Sequence, residues 1–485
     1  MIDMENEIMI KFINNEITSL PLTLDNKITH NDIRFTPRGE LNELKNDVNE
    51  FLKGNCNRRY YVLSGLRGIG KTTILYQLYD YLNKEMNIAQ NQILYLACEK
   101  LHTRFKFNIL DVFECFLKYH HNSTLKTLDK KIFLLIDESQ YDNNWHLSGK
   151  VIHDSSNKIF IIFTQSSSMD SEYNADSSRK FLKRNINPLS YNQHLKLSHN
   201  FESDKLSNSL YELLFRGKVE NAVNCEKEII SKLYSINEYY ENDLENFIQY
   251  GGFPASLHEK DTNIITDKLT DILCHVISKD LPKTSNISSD NLVNAARLLN
   301  FLALNPPDEV SQNNIANYLN CSSTTVKNIL KTLEKTHLLF HCEPYGSASA
   351  RYKKSWKYFF ATSSIRHILN QDLDTPIQNQ KEYEEILLEN FVASTIFNLK
   401  SRKNLRFDLF YDPKSKNNNA DFIIHEWLNK PVPIEVSTGK KNKKQILSSM
   451  RRYKSDYGII ISNNVHSIKK EGKVIYLPYK TFSFL

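Results

Sequence analysis

The sequence predicts an α/β protein, and with 485 residues it is long enough for about three domains. Three observations carry that expectation. An apolar run at 58–82 passes through a glycine-rich turn into helical periodicity. Two further apolar runs, at 130–142 and 157–167, end abruptly in polar residues, as buried strands do. The last hundred residues alternate short strand-like runs, "LRFDLFYD", "ADFIIHEW" and "VPIEVS", between two helical stretches.

The first segment reads "RRYYVLSGLRGIGKTTILYQLYDYL". Tyr60 to Leu63 form a buried strand, and Ile74, Leu75, Leu78 and Tyr79 mark the buried face of the following helix. Between them Gly65, Gly70, Lys71 and Thr72 satisfy the phosphate-loop spacing G-x-x-x-x-G-K-[ST]. Glycines let the backbone wrap a phosphate and turn several N–H groups inward at the positive end of a helix. The expected ATP-binding residues are Gly65, Leu66, Arg67, Gly68, Ile69, Gly70, Lys71, Thr72 and Thr73. Lys71 would reach the β- and γ-phosphates, and the Thr72 hydroxyl would ligate magnesium.

In "KKIFLLIDESQYD" a strand from Ile132 to Ile136 delivers Asp137 and Glu138 at its end. Asp137 is placed to hold the Mg2+ shell with Thr72, and Glu138 to orient and deprotonate the attacking water. "NKIFIIFTQSS" ends its strand in Thr164 and Gln165, where a polar side chain can sense the γ-phosphate. A plain strand-terminating polar cluster is the other reading of that pair.

Residues 292–342 read as helices with a tight turn at Asn320-Cys321. Ser311 and Ser322 are N-cap candidates, and Val326, Ile329, Leu330 and Leu333 form the buried face of the second helix. This helix-turn-helix pattern leaves Ser323, Thr324, Lys327, Asn328 and Lys331 outward. A hairpin with a basic tip at Lys353 and Lys354 follows. Thr324, Lys327, Lys331, Lys353 and Lys354 are therefore the DNA-binding candidates. A docking arm between domains is the competing reading.

Further on, a helix at 383–397 carries Glu389, and two neighbouring strand ends carry Asp421 and Glu435. Such carboxylates suit magnesium and phosphodiester cleavage. Sites of that kind usually place a lysine two residues after the second acid, and Ser437 stands there. Lys440 and Lys441 follow a flexible "STG", so Lys440 could serve from the loop. A weakened or relocated nuclease site and an inactive fold kept for binding both remain open.

Composition narrows the partners. Hydrophobic residues make up 40% and charged residues 24%, as in ordinary globular proteins, and the net charge of +6 is mild. Residues 440–454 hold seven Lys or Arg and no acid, and "SARYKKSWK" at 349–357 also lacks acids. These stretches are either solvated surface lysines or the footprint of a polyanion. The seven cysteines are scattered without metal spacing, which fits reduced thiols. No secretory signal or membrane-spanning run is legible, so a cytoplasmic protein without membrane attachment is expected.

The motifs together resemble prokaryotic AAA-type ATPases that carry a winged helix and a restriction-endonuclease-like domain. "FTPRGELNEL" at 35–44 looks like the F-x-x-R-x-x-E-L box before the phosphate loop, and "TQSS" stands where the family has TGSS. "KRNINPLSYNQH" at 183–194 resembles its G-R-x(n)-P-L-S-x-x-E segment, making Arg184 the candidate arginine finger or phosphate sensor. "QYGGFPASL" matches its G-G-F/Y-P element, and "KSWKYFFATSSIRHIL" its K-x-x-K-h-Y-F-x-D segment with Thr362 in place of the Asp. The resemblance implies an N-terminal extension at 1–30, an ATPase core at 31–198 and a helical lid at 199–284. A winged helix at 285–375 and a restriction-endonuclease-like domain at 376–485 complete it. It implies an ATP- and Mg2+-dependent switch that positions the last two domains, with double-stranded DNA as the expected partner. A nucleotide-gated scaffold with an inactive nuclease-like domain, binding protein partners or copies of itself, is the alternative. An ATP-regulated nuclease in genome defence is a third.

Overall fold

The computed structural model describes residues 2–166, 180–236, 239–284, 287–307, 311–371, 379–403, 405–413, 419–439 and 443–485. The chain forms two compact units, Met1–Ile186 and Asn187–Leu485.

The first unit begins with α1, Ile2–Ile28. The sequence reading gives residues 1–30 as an N-terminal extension, and in the structure they are largely helical. Met9, Phe12, Ile13, Leu20, Leu24 and Ile28 are buried. Met9, Phe12 and Ile13 join one core with Leu94, Leu96, Phe113 and Phe116. Burying a large apolar side chain stabilises by about 1.5–3 kcal/mol, so this helix is part of the domain's core. Helix α2 (Gly39–Leu52) follows, then β1 (Tyr60–Ser64) and α3 (Lys71–Asp80). Strands β2 (Ile93–Ala97), β3 (Ile132–Asp137), β4 (Ile159–Gln165) and β5 (Leu182–Asn185) complete the sheet. Its order is β2-β3-β4-β1-β5, and every pairing is parallel. β1, β3 and β4 are buried at every position, which explains why they read as continuous apolar runs. The order inserts β4 between the phosphate-loop strand and the acid-bearing strand, so Thr164 near its end lies beside both.

The second unit opens with α4 (Tyr191–His199), α5 (Asp204–Arg216), α6 (Glu220–Tyr234) and α7 (Asp243–Tyr250). Further along, α8 (Ser289–Leu304) is followed by α9 (Gln312–Leu319) and α10 (Ser323–Lys335). Asn320 turns the chain between the last two in a left-handed conformation, φ 52°. The Ser322 hydroxyl caps α10 by accepting from Thr325 N–H at 3.0 Å. Strands β6 (Leu339–Pro344) and β7 (Lys357–Phe360) pair antiparallel. A short helix, Ala348–Lys353, occupies the connection between them.

Helices α11 (Ser363–Gln371) and α12 (Gln380–Arg402) lead into β8 (Phe407–Tyr411), β9 (Phe422–Glu426) and β10 (Val432–Ser437). Helix α13 (Lys444–Tyr453), β11 (Gly458–Ser462), β12 (Lys469–Glu471) and β13 (Val474–Pro478) come next. Among the described residues these strands form one eight-stranded sheet, β12-β13-β11-β10-β9-β8-β6-β7. β6 enters it by parallel pairing with β8, Glu343 opposite Phe410. One core joins α4–α7 to this sheet: Leu195, Leu210, Leu213 and Phe247 pack with Phe391, Ile434, Ile461 and Leu485. The sequence places the end of the ATPase core at residue 198 and sets 199–284 apart. The structure divides after Ile186 and gives α4–α7 a shared core with the C-terminal strands.

Candidate active site

The turn between β1 and α3 depends on its glycines. A Cβ on Gly65 would lie 2.1 Å from the Ile186 carbonyl oxygen, and Gly70 caps α3 with φ 92°. The buried Lys71 ammonium lies inside the loop, donating to the Gly65 and Leu66 carbonyls at 2.8 and 2.9 Å. Gly65 through Thr73 thus form one backbone cradle closing onto the start of α3.

Around it the strand ends converge on Asp137. Its Oδ2 accepts from the Thr72 hydroxyl at 2.8 Å and from Tyr95 at 3.3 Å, and its Oδ1 accepts from the Thr164 hydroxyl at 2.5 Å. Burial pushes the Asp137 carboxyl upward, and the Glu138 charge adds to it. Hydrogen bonds from Thr164 and Thr72 and the charge of Lys71 oppose the shift. Glu138 adopts a left-handed conformation, φ 52°, and its N–H donates to Thr164 Oγ1 at 2.9 Å. Its carboxylate accepts from the Gln140 amide and stands 4.0 Å from the Arg67 guanidinium. Thr164 therefore ties the two acids together through one hydroxyl.

The box at 35–44 holds residues that the sequence alone does not single out as part of the site. Arg38 Nη1 donates to the Ile69 carbonyl at 2.7 Å, and its Nη2 pairs with Glu40 at 2.8 Å. Gln77 donates to the Phe35 carbonyl at 2.9 Å. These contacts fix the box to the phosphate loop and to α3. Arg184 lies elsewhere: on β5, it pairs with Asp47 at 2.6 Å and Glu43 at 3.0 Å of α2, with its guanidinium over the Tyr61 ring.

In the second unit, the G-G-F-P turn is fastened by neighbours. The Gly252 carbonyl accepts from Leu189 N–H, and the Gly251 carbonyl from the Ser364 hydroxyl at 2.7 Å. Thr324, Lys327 and Lys331 are exposed on α10. Lys354 is exposed but spends a donor on the Pro413 carbonyl at 2.9 Å. Lys440 lies outside the described residues, as does the Lys353 side chain.

The acids of the C-terminal sheet separate into different environments. Continuing the β9–β10 register from Phe422 opposite Ile434 sets Asp421 beside Glu435. Asp421 accepts from Val436 N–H at 2.7 Å, and Glu435 is buried. Glu389 instead stands 3.9 Å from Lys357 of β7. One turn earlier on α12, Glu385 accepts from the Thr438 hydroxyl at 2.6 Å, just past the end of β10. Among the described residues no group of three or more His, Cys, Asp or Glu side chains is arranged to hold a metal ion. Also among them, no helix is long and apolar enough to cross a membrane.

Residues 57–195 match the family model described as AAA domain, covering the strands β1 to β5 and their glycine-rich turn. Residues 241–397 match a domain of unknown function, DUF8612. Among solved structures the chain is similar to the Aeropyrum pernix ORC1 protein in complex with DNA, at 11% identity and TM-score 0.32, over 72% of this chain and 96% of that one. It is also similar to AMPPCP-bound DnaA from Aquifex aeolicus, at 16% identity and TM-score 0.25, over 62% and 89%. An uncharacterized protein of Haemophilus influenzae is 25% identical over 312 residues, 63% of this chain and 68% of the relative. The uncharacterized protein MJ1637 of Methanocaldococcus jannaschii is 31% identical over 474 residues, 98% of this chain and 93% of the relative. The first unit is an AAA-type α/β domain, and the chain as a whole belongs to the family of MJ1637.

Proposed function

We propose that the protein is an ATP-hydrolysing switch whose second unit engages duplex DNA. The observation that carries the first half is the Thr164 hydroxyl joined to both Asp137 and the Glu138 backbone, beside the Lys71 cradle. On ATP binding, Lys71 would exchange its two carbonyl partners for oxygens of the β- and γ-phosphates. The N–H groups of the loop would surround the same phosphates at the start of α3. Glu138 is the base that takes the proton of the attacking water, once Gln140 and Arg67 release its carboxylate. Thr164, bonded to both acids, is the residue through which the state of the γ-phosphate reaches them.

Thr72 and Asp137 offer hard oxygen donors whose oxygens lie 2.8 Å apart, which fits a magnesium ion that keeps most of its waters. Bound there, the ion would neutralise charge on the β- and γ-phosphates.

The second half rests on α9 and α10 as a helix-turn-helix followed by the β6–β7 hairpin, a winged-helix arrangement. Thr324, Lys327 and Lys331 are its outward residues. A docking role for the hairpin is the second reading, and it is favoured by the parallel pairing of β6 with β8, which builds the hairpin into the C-terminal sheet. The order α12-β8-β9-β10-α13-β11 is that of a restriction-endonuclease-like core. Its acids do not assemble into a metal-holding group of three or more among the described residues.

Binding of a fluorescent ATP analogue to wild type and Lys71→Ala tests the nucleotide half. The expected result is tight binding by wild type that the variant fails to reproduce; equal binding by both would overturn it.

A further inference from the structure

A groove of about 640 Å³ runs along the exposed face of α13. Lys443, Leu447, Met450, Arg451 and Lys454 line one wall at helical spacing, and Gly472, Lys473 and Val474 line the other. Lys430 also lines the groove. Five basic side chains thus face two acids, Asp456 and Glu471. Those acids pair with Lys430, at 2.7 Å, and with Lys443. Lys454 and Lys473 form no ion pair with a described residue. Between the cations Leu447 is half-exposed, over Met450 and Val474, which are buried in the core beneath.

Directly before Lys430, the β9–β10 turn carries Trp427 and Leu428, 89% and 91% exposed. Three residues of backbone keep Trp427 within about 11 Å of Lys430. An indole left in water on the turn that also carries the groove residue Lys430 gains nothing from its apolar surface there.

We propose that this groove binds single-stranded nucleic acid, with Arg451, Lys454 and Lys473 on phosphates and Trp427 stacked on a base. Duplex DNA hides its base faces, so it would use the cations and leave both the indole and Leu447 exposed. An unpaired strand uses all three, since every base has a π-face and base–aromatic stacking tolerates any sequence. An acidic peptide would also use the cations, yet it offers no repeating flat group to the indole. This surface shares no residue with α10 or with the nucleotide cradle, so it stands or falls independently of the proposed switch.

The test uses the full-length protein and a 20-nucleotide oligo(dT). Of the three tryptophans, Trp145 is buried and Trp356 half-buried, so Trp427 is the one most open to quenching by a stacked base. Oligo(dT) should quench it at saturation. By anisotropy of fluorescein-labelled oligo(dT), which does not depend on the indole, Trp427→Ala should weaken binding about tenfold while Trp427→Phe, which keeps a ring, should retain most of the affinity. Arg451→Glu with Lys454→Glu should lower the log–log salt slope by about 0.7 for each phosphate left without its cation. Both side chains are exposed, and thermal melting at the wild-type temperature would show that the variants fold. Absence of binding would overturn the proposal. So would equal affinity of wild type and Trp427→Ala, which would mark a general polyanion surface. Quenching by anionic phosphatidylserine vesicles but not by oligo(dT) would overturn it in favour of a lipid surface.

Discussion

The Thr164 hydroxyl donates to Asp137 Oδ1 at 2.5 Å while accepting from the Glu138 N–H at 2.9 Å. One side chain thereby sets the position of both acids at the end of β3. Replacing it with the similarly shaped valine removes both bonds at once and leaves an N–H and a carboxylate oxygen to find other partners. We expect Thr164→Val to cost about 1–3 kcal/mol of stability and to slow ATP turnover more than it weakens nucleotide binding. Chemical denaturation and steady-state kinetics on the same variant check both parts. Turnover at the wild-type rate would detach Thr164 from the site.

Asp412 is a buried carboxylate just past the end of β8, enclosed by three side chains of α13. It accepts from Arg452 at 2.7 and 2.8 Å, from the Ser449 hydroxyl at 2.6 Å and from the Tyr453 hydroxyl at 2.7 Å. Arg452→Met should leave this buried acid without its counter-charge and destabilise the unit by about 3 kcal/mol. Unfolding in urea, followed by circular dichroism, measures the effect. A stability within about 0.5 kcal/mol of wild type, the range of ordinary surface substitutions, would refute it.

The half-buried His194 and the buried His367 predict an acid weakness. Burial lowers the pKa of His194 to about 4, and burial likewise lowers His367 to about 4. The usual value is 6.5, so between pH 6.5 and 4 the unfolded chain binds protons that the folded chain does not. Stability conferred by keeping them neutral is fully present above that window and falls as pH drops through it. The urea midpoint should decline accordingly, and His194→Gln should flatten the decline. A midpoint that stays level from about pH 7 to about pH 4.5 would contradict this.

Lys327 and Lys331 carry the duplex-DNA reading. Reversing both to Glu should weaken duplex binding and reduce the log–log salt slope by about 0.9 for each phosphate no longer neutralised. Fluorescence anisotropy at several salt concentrations reads both quantities. Unchanged affinity at low salt would leave the hairpin's docking role as the better account of the second unit.

The local chemistry of the first unit is legible in the sequence because each piece is written in a few consecutive residues. A strand, glycines at fixed spacing and a lysine describe their own turn, and an apolar run ending in Asp137-Glu138 describes its own strand end. What escapes is non-local. Helix α1 sets Met9, Phe12, Ile13, Leu20, Leu24 and Ile28 at helical spacing but is interrupted by Pro21, and its place in the core beside β2 follows only once that partner exists. The parallel pairing of β6 with β8 joins segments far apart in the chain, and no turn signal marks it. The choice between Glu385 and Glu389 shows the same limit at smaller scale. They lie one helical turn apart on α12, and only the neighbours decide that one meets Thr438 and the other Lys357.

The most direct measurement of the central claim is ATP hydrolysis by wild type and Glu138→Gln at saturating ATP and magnesium, beside ATP-analogue affinity for both. Glu138 supplies the base while the Lys71 cradle holds the nucleotide, so binding should persist. Turnover should fall by about a hundredfold or more. Hydrolysis by Glu138→Gln at the wild-type rate would contradict the assignment of Glu138 as the base and, with it, the switch built around Asp137 and Thr164.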